Sequence, residues 1–114
     1  MGQTLEDIRE IVGKFDDVTE GTSYGAPSFK IGGKLLACYA TNKAAEPNTL
    51  VVRVGFDQRD DLIVEQPGVY YLKDHYAPYP YVLVRMDRIA ADALAGLLEA
   101  GWRFTRSELG RSRK

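Results

Sequence analysis

Apolar positions along the chain change their spacing from segment to segment, and each change marks an element. Leu5, Ile8, Ile11, Val12 and Phe15 recur at helical intervals, with Arg9, Glu10 and Lys14 on the other side, which predicts an amphipathic helix packed on a sheet. Thr4, three residues before Asp7, is a short form of the capping box, and Glu6 and Asp7 suit the positive end of the helix dipole. Asp16, Asp17 and Glu20 then read as an acidic, solvated exit loop.

The segment YGAPSFKIGGKLLACYA, residues 24–40, carries the strongest local signal. Gly32-Gly33 between apolar runs predicts a tight hairpin, because both glycines adopt the positive φ of a primed turn. A two-residue turn sets Ile31 opposite Lys34, Phe29 opposite Leu36 and Pro27 opposite Cys38. One face is then Phe29, Ile31, Leu36 and Cys38, directed to the core. The other is Ser28, Lys30, Leu35, Ala37 and Tyr39. Lys30 and Lys34 bracket the turn and project to different faces.

Residues 41–48 have loop composition, after which Leu50, Val52 and Val54 alternate with Val51 and Arg53 as a third strand of an antiparallel meander. Asp57 reads as the N-cap of a short helix containing Leu62, Ile63 and Val64, stopped by Pro67-Gly68. Val69–Leu72 and Tyr81–Met86 are two more strands, separated by a loop with Pro78 and Pro80. Asp87 is placed to cap a last helix with the stripe Ile89, Ala90, Ala93, Leu94, Leu97 and Leu98, which Gly101 ends or bends. Trp102 and Phe104 help to close the core. The expected order is helix, three strands, helix, two strands, helix.

Length and charge narrow the classes. At 114 residues the chain fits one domain that buries roughly two-thirds of its unfolded surface. No apolar run reaches the ~20 residues of a membrane span, and MGQTLEDIRE lacks a signal-peptide pattern, so a cytoplasmic protein is expected, as a monomer and without a membrane partner. The net charge of −1 gives no global case for a polyanion partner. From Arg103 onward, however, Arg103, Arg106, Arg111, Arg113 and Lys114 stand against Glu108 alone, and a basic, flexible tail is expected from residue 107. One Cys and one His exclude the usual zinc ligand sets.

YGAPSFKIGGKLLA, the segment LIVEQPGVYY at 62–71, the strand YVLVRM at 81–86 and the following LAGLLEAGWR together resemble the MmcQ/YjbR family over nearly the whole chain. The shared core is Tyr24, Gly25, Pro27, Phe29, Lys30, Gly33 and Lys34. The resemblance implies an α+β, CyaY-like single domain over residues 1–114. Its antiparallel sheet of about five strands carries the N- and C-terminal helices on one face and a short helix between strands three and four. It further implies DNA binding through β-hairpins in a double-wing arrangement. Tyr81 stands where many relatives carry Trp, and an aromatic near the end of the last helix is here Trp102.

Two functional expectations follow. The first is a noncatalytic DNA-binding protein, weak and largely nonspecific, with Lys30 and Lys34 on phosphates and Arg53, Arg103 and Arg106 as additional contacts. The second is a small-molecule or protein-partner binding module centred on Tyr70, Tyr71, His75, Tyr76, Tyr79 and Tyr81, whose side chains combine apolar area with a polar tip. No catalytic residues, cofactor or metal site are expected. His75 has no visible relay to Ser23, Ser28 or Cys38, and Gly32-Gly33-Lys34 lies in a hairpin, not at a strand-to-helix junction. An iron role for Glu6, Asp7, Glu10, Asp16 and Asp17 rests on fold analogy alone.

Overall fold

The computed structural model describes residues 2–112 apart from 24 and 42, and of the side chains excludes also those of 111 and 112. Its elements run α1 (Leu5–Val12), β1 (Val18–Ser23), β2 (Ala26–Ile31), β3 (Lys34–Tyr39), β4 (Thr49–Arg53), α2 (Phe56–Glu65), β5 (Tyr70–Tyr71), β6 (Tyr81–Arg85) and α3 (Ala91–Ser112). All strand pairings are antiparallel, in the order β1-β2-β3-β4-β6-β5. The α+β class and antiparallel sheet are those the sequence predicts. The sheet has six strands where about five were expected from the alternation pattern.

The additional strand is β1. Its sequence VTEGTS is exposed along its centre, so it lacks the apolar alternation that reveals a half-buried strand. It is held as an edge strand by backbone pairing to β2, from Val18↔Ile31 to Ser23↔Ala26. The segment read as an acidic loop therefore becomes strand immediately after Asp17, which turns the chain at φ 68°. Glu20, on β1, accepts from Arg9 of α1.

Successive residues of each strand face opposite ways, and here they enter two different clusters. Leu50, Val52, Val82, Val84 and Tyr70 join Ile8 and Val12 of α1 and Leu94, Leu97 and Leu98 of α3 in the main core. Val51, Leu83 and Tyr71, their immediate neighbours, form a second cluster with Cys38, Tyr76 and Tyr81, without any residue of α1 or α3. The sheet thus has a helix face and a helix-free face.

Helix ends divide between expectation and correction. Thr4 caps α1, with Asp7 returning the bond to its backbone N–H at 2.7 Å. Asp57 does not cap α2: the N-cap is Gly55, the helix begins at Phe56, and Asp57 lies in its first turn. Asp87 does not cap α3 either. It accepts from the Asn48 amide, and the helix starts at Ala91, so that Ile89 is buried from the preceding turn. Gly101 does not end α3, which continues to Ser112. A Cβ at Gly101 would lie 2.6 Å from the Arg53 carbonyl oxygen. The glycine allows the helix to touch the backbone of β4. Residues 107–112 of the basic tail are helical, while Arg113 and Lys114, like Tyr24 of the family pattern, lie outside the described residues.

The hairpin turn is as predicted, with Gly32 at φ 55° and Gly33 at φ 84°, and with Ile31↔Lys34 and Lys30↔Leu35 paired. Beyond them the register departs from expectation. Phe29 pairs with Ala37 and Ser28 with Cys38, leaving Leu36 as a surplus residue. This β-bulge puts Leu36 and Ala37 both in the main core. It also exchanges the predicted faces of the next two residues: Tyr39 packs against the main core and Cys38 against the helix-free cluster. Cys38 thus faces Ser28 and not Pro27, while on the β1 side Pro27 pairs with Thr22.

Candidate functional site

On the helix-free face the loop between β5 and β6 arches over the strands and leaves a cleft of about 450 Å³. Its floor is Leu35 and Cys38 of β3 and Val51 of β4, its walls are His75, Tyr76 and Tyr81, and Ser23 and Thr41 stand at its margin. None of its lining side chains is Asp, Glu, Lys or Arg. The His75 and Tyr76 rings meet edge-on at 4.9 Å, and Tyr79 stacks on Tyr81 at 5.9 Å. Offset and edge-on contacts of this kind fix ring orientation.

The loop is held from below. Arg59 of α2 is almost fully buried and donates from Nη1 to the carbonyls of Ala77, at 3.1 Å, and Tyr79, at 3.0 Å. Within the loop, the Tyr76 and Ala77 amides donate to the Lys73 carbonyl. The loop is therefore a braced arch.

Burial pushes the Cys38 thiol up from its ordinary value, against a smaller lowering by the Lys30 charge. The Tyr76 phenol is likewise raised, first by burial. Both groups, already protonated at neutral pH at their ordinary values, are held further from ionising, and a raised thiol is the opposite of an activated one.

The other tyrosines singled out in the sequence divide by strand alternation. Tyr70 turns into the main core beneath the helices, and Tyr71 belongs to the helix-free cluster under the arch. The Tyr71 hydroxyl is engaged, accepting from the Glu46 amide at 2.8 Å and bonding Thr49 at 2.5 Å. Arg85 lies over its ring at 4.3 Å and binds the Glu46 carboxylate through two nitrogens, holding that carboxyl below its usual range. Tyr79 is half exposed.

The basic residues differ in how they are engaged. Lys30 is exposed on the helix-free side of β2, opposite Leu35. Lys34 is at the turn. Arg53 is partly buried and donates to the Leu35 carbonyl at 2.8 Å, to Glu108 at 2.9 Å and to the Tyr81 hydroxyl at 3.4 Å. Arg103 pairs with Glu99 one helical turn away, and Arg106 lies over the Trp102 ring at 4.9 Å. Of the acids considered for iron, Asp7 serves the α1 cap and Glu6 pairs with Arg9. Among the described residues no group of three or more His, Cys, Asp or Glu converges.

A sequence model of the YjbR family matches residues 13–104. The chain belongs to the YjbR family. Among curated proteins it is similar to Uncharacterized protein Mb2600 of Mycobacterium bovis and to Uncharacterized protein Rv2570 of Mycobacterium tuberculosis. Each is 30% identical, over 87% of this chain and 85% of the relative. The crystal structure of Deinococcus radiodurans protein DR2400, with its DUF419 domain, superposes at a TM-score of 0.71. The match covers 95% of this chain and 88% of that one at 22% identity, which shows a common fold. In this YjbR-family chain no helix among the described residues is long and apolar enough to cross a membrane.

Sequence reasoning located three of the cleft residues, His75, Tyr76 and Tyr81, from the aromatic run. It missed Leu35 and Val51, and it assigned Cys38 to the opposite face. LLACY is apolar at every position, so no alternation marks where the bulge falls.

Proposed function

We propose that the protein is a noncatalytic binding module whose ligand is a small organic molecule seated in the cleft of the helix-free face. The observation that carries this reading is the cleft: about 450 Å³ of space between aromatic walls and an aliphatic floor. That size and lining are typical of small-molecule sites, which run from roughly 300 to 1,000 Å³. The phenols and the imidazole supply flat contact area with polar tips. The protonated thiol argues for binding over chemistry.

A fragment titration followed by ¹H–¹⁵N correlation NMR tests it. Shifts are expected to concentrate at the amides of Ala40, Val51 and Tyr76, and Tyr76→Ala is expected to weaken the best fragment about tenfold, as loss of an aromatic contact does. Hits that map to other surfaces, or a Tyr76→Ala variant of unchanged affinity, overturn the reading.

DNA binding is a second reading, supported by Lys30 and Lys34, which make no ion pair among the described residues. Arg53 and Arg103 are engaged with carboxylates and Arg106 lies over the Trp102 ring, so the reading rests on the two lysines. Two neutralised phosphates give a plot of log K against log salt with a slope of about −2. Anisotropy titration of duplex DNA is expected to return that slope, with binding lost in the Lys30→Ala/Lys34→Ala variant. A steeper slope that survives both substitutions places any DNA contact elsewhere.

A further inference from the structure

The cleft is neutral inside, yet its margin is not. Lys30 lies directly opposite Leu35 in the β2–β3 ladder, and Leu35 is part of the cleft floor. Residues opposed in this way on one face bring their Cβ atoms within about 5.5 Å, so Lys30 springs from the strand beside the cleft floor, within reach of its rim. The charge is felt inside, since Lys30 draws down the Cys38 thiol that burial raises. Of the arginines on this side, Arg53 lies over the Tyr81 ring at 5.3 Å with Glu108 balancing its charge, and Arg85 is paired with Glu46. Lys30 has no such partner among the described residues.

Building on the cleft reading, we propose that the ligand is an aromatic organic anion. A flat ring lies between Tyr76 and Tyr81, and a carboxylate or similar group at its edge meets Lys30. The ring requirement comes from walls whose aromatic contacts hold them in fixed orientation, and such walls favour offset stacking on a planar guest. The charge requirement comes from a lining without acids and from Lys30 beside it, which makes no ion pair among the described residues. A cationic guest would have to approach Lys30 with no carboxylate in the lining to offset it.

Three probes with a common ring and different charge separate these requirements: indole-3-acetate, indole-3-acetamide and tryptamine, titrated into the full chain by NMR at low salt. Indole-3-acetate is expected to bind about fivefold more tightly than the amide, the upper range for an exposed ion pair, and tryptamine least. Lys30→Gln, at an exposed strand position, is expected to close the gap between acetate and amide. Raising the salt narrows the same gap in the unmodified protein. Equal affinities for acetate and amide, or a gap that persists in Lys30→Gln, overturn the anion assignment while shifts at Val51 and Tyr76 leave the cleft reading intact. If none of the three probes moves those amides, the cleft reading fails and the anion assignment with it.

Discussion

Gly101→Ala is expected to lower the stability of the protein by about 2 kcal/mol, although alanine is the better helix former by about 1 kcal/mol. The sign is decided by what the methyl group would meet. It would lie 2.6 Å from the Arg53 carbonyl oxygen, 3.1 Å from a Leu36 methyl and 3.3 Å from a Val52 methyl. Side chains can yield by a few tenths of an ångström. The carbonyl cannot, because Arg53 is paired to Tyr81 in the middle of the sheet, and α3 is held against that sheet by Leu94, Leu97 and Leu98, packed on the same face as Gly101. Overpacking at such a point costs about 1–3 kcal/mol, and a branched substitution such as Gly101→Val costs more. Gly96 supplies the contrast. It lies in the same helix, is exposed, and a Cβ there meets nothing within 4 Å, so Gly96→Ala is expected to gain about 1 kcal/mol. Urea unfolding monitored by circular dichroism reads both: the midpoint falls for Gly101→Ala and rises for Gly96→Ala, with unchanged slope. A rise at both positions would show that α3 does not sit on β4 as described.

The second large effect is expected at Arg59→Ala, about 2 kcal/mol, with consequences beyond stability. The Arg59 guanidinium is the link between α2 and the arch over the cleft, holding the Ala77 and Tyr79 carbonyls while it lies over the Phe56 ring at 4.9 Å. Hydrogen bonds from a charged donor contribute about 1.5–3 kcal/mol each. Partial exposure of the loop lets water replace part of that when the side chain is removed, which sets the net figure. Arg59→Lys retains the charge without the planar fork that spans two acceptors, and is expected to fall between. Hydrogen exchange distinguishes the local effect from the global one: the Tyr76, Ala77 and Tyr79 amides exchange faster in Arg59→Ala, while those of β4 and β6 keep their order of protection. Uniform loss of protection, or none, would place the support of the arch in the tyrosine packing instead.

What the sequence discloses follows from how each element is held. α1 and its cap, the Gly32-Gly33 turn and the Leu94–Leu97–Leu98 stripe are legible because local chemistry and tertiary packing demand the same residues there. β1 is not legible. Beyond Val18 its two faces are both polar, and backbone pairing to β2 is what makes it a strand. The length of α3 is hidden for a related reason: Gly101 reads locally as a helix end, and the need for close contact with Arg53 is visible only across the fold. The cleft is intermediate. Its aromatic wall stands in a short run of sequence, whereas its floor comes from β3 and β4, whose contribution depends on register. The arginines expected to assist at phosphate are the reverse case. Residue type advertises a free positive charge, but Glu108 and Glu99 meet Arg53 and Arg103 in space.

The surplus residue in β3 has a practical consequence. Cys38 is the only thiol of the chain, and the bulge at Leu36 delivers it to the cleft floor and not to the helical core. Alkylation of the unmodified protein is thus a single-site occupancy gauge. Under the cleft proposal, the rate at which a small maleimide or iodoacetamide reagent modifies Cys38 is expected to fall as ligand is added, which mass spectrometry reads without a tag, a dye or a mutation.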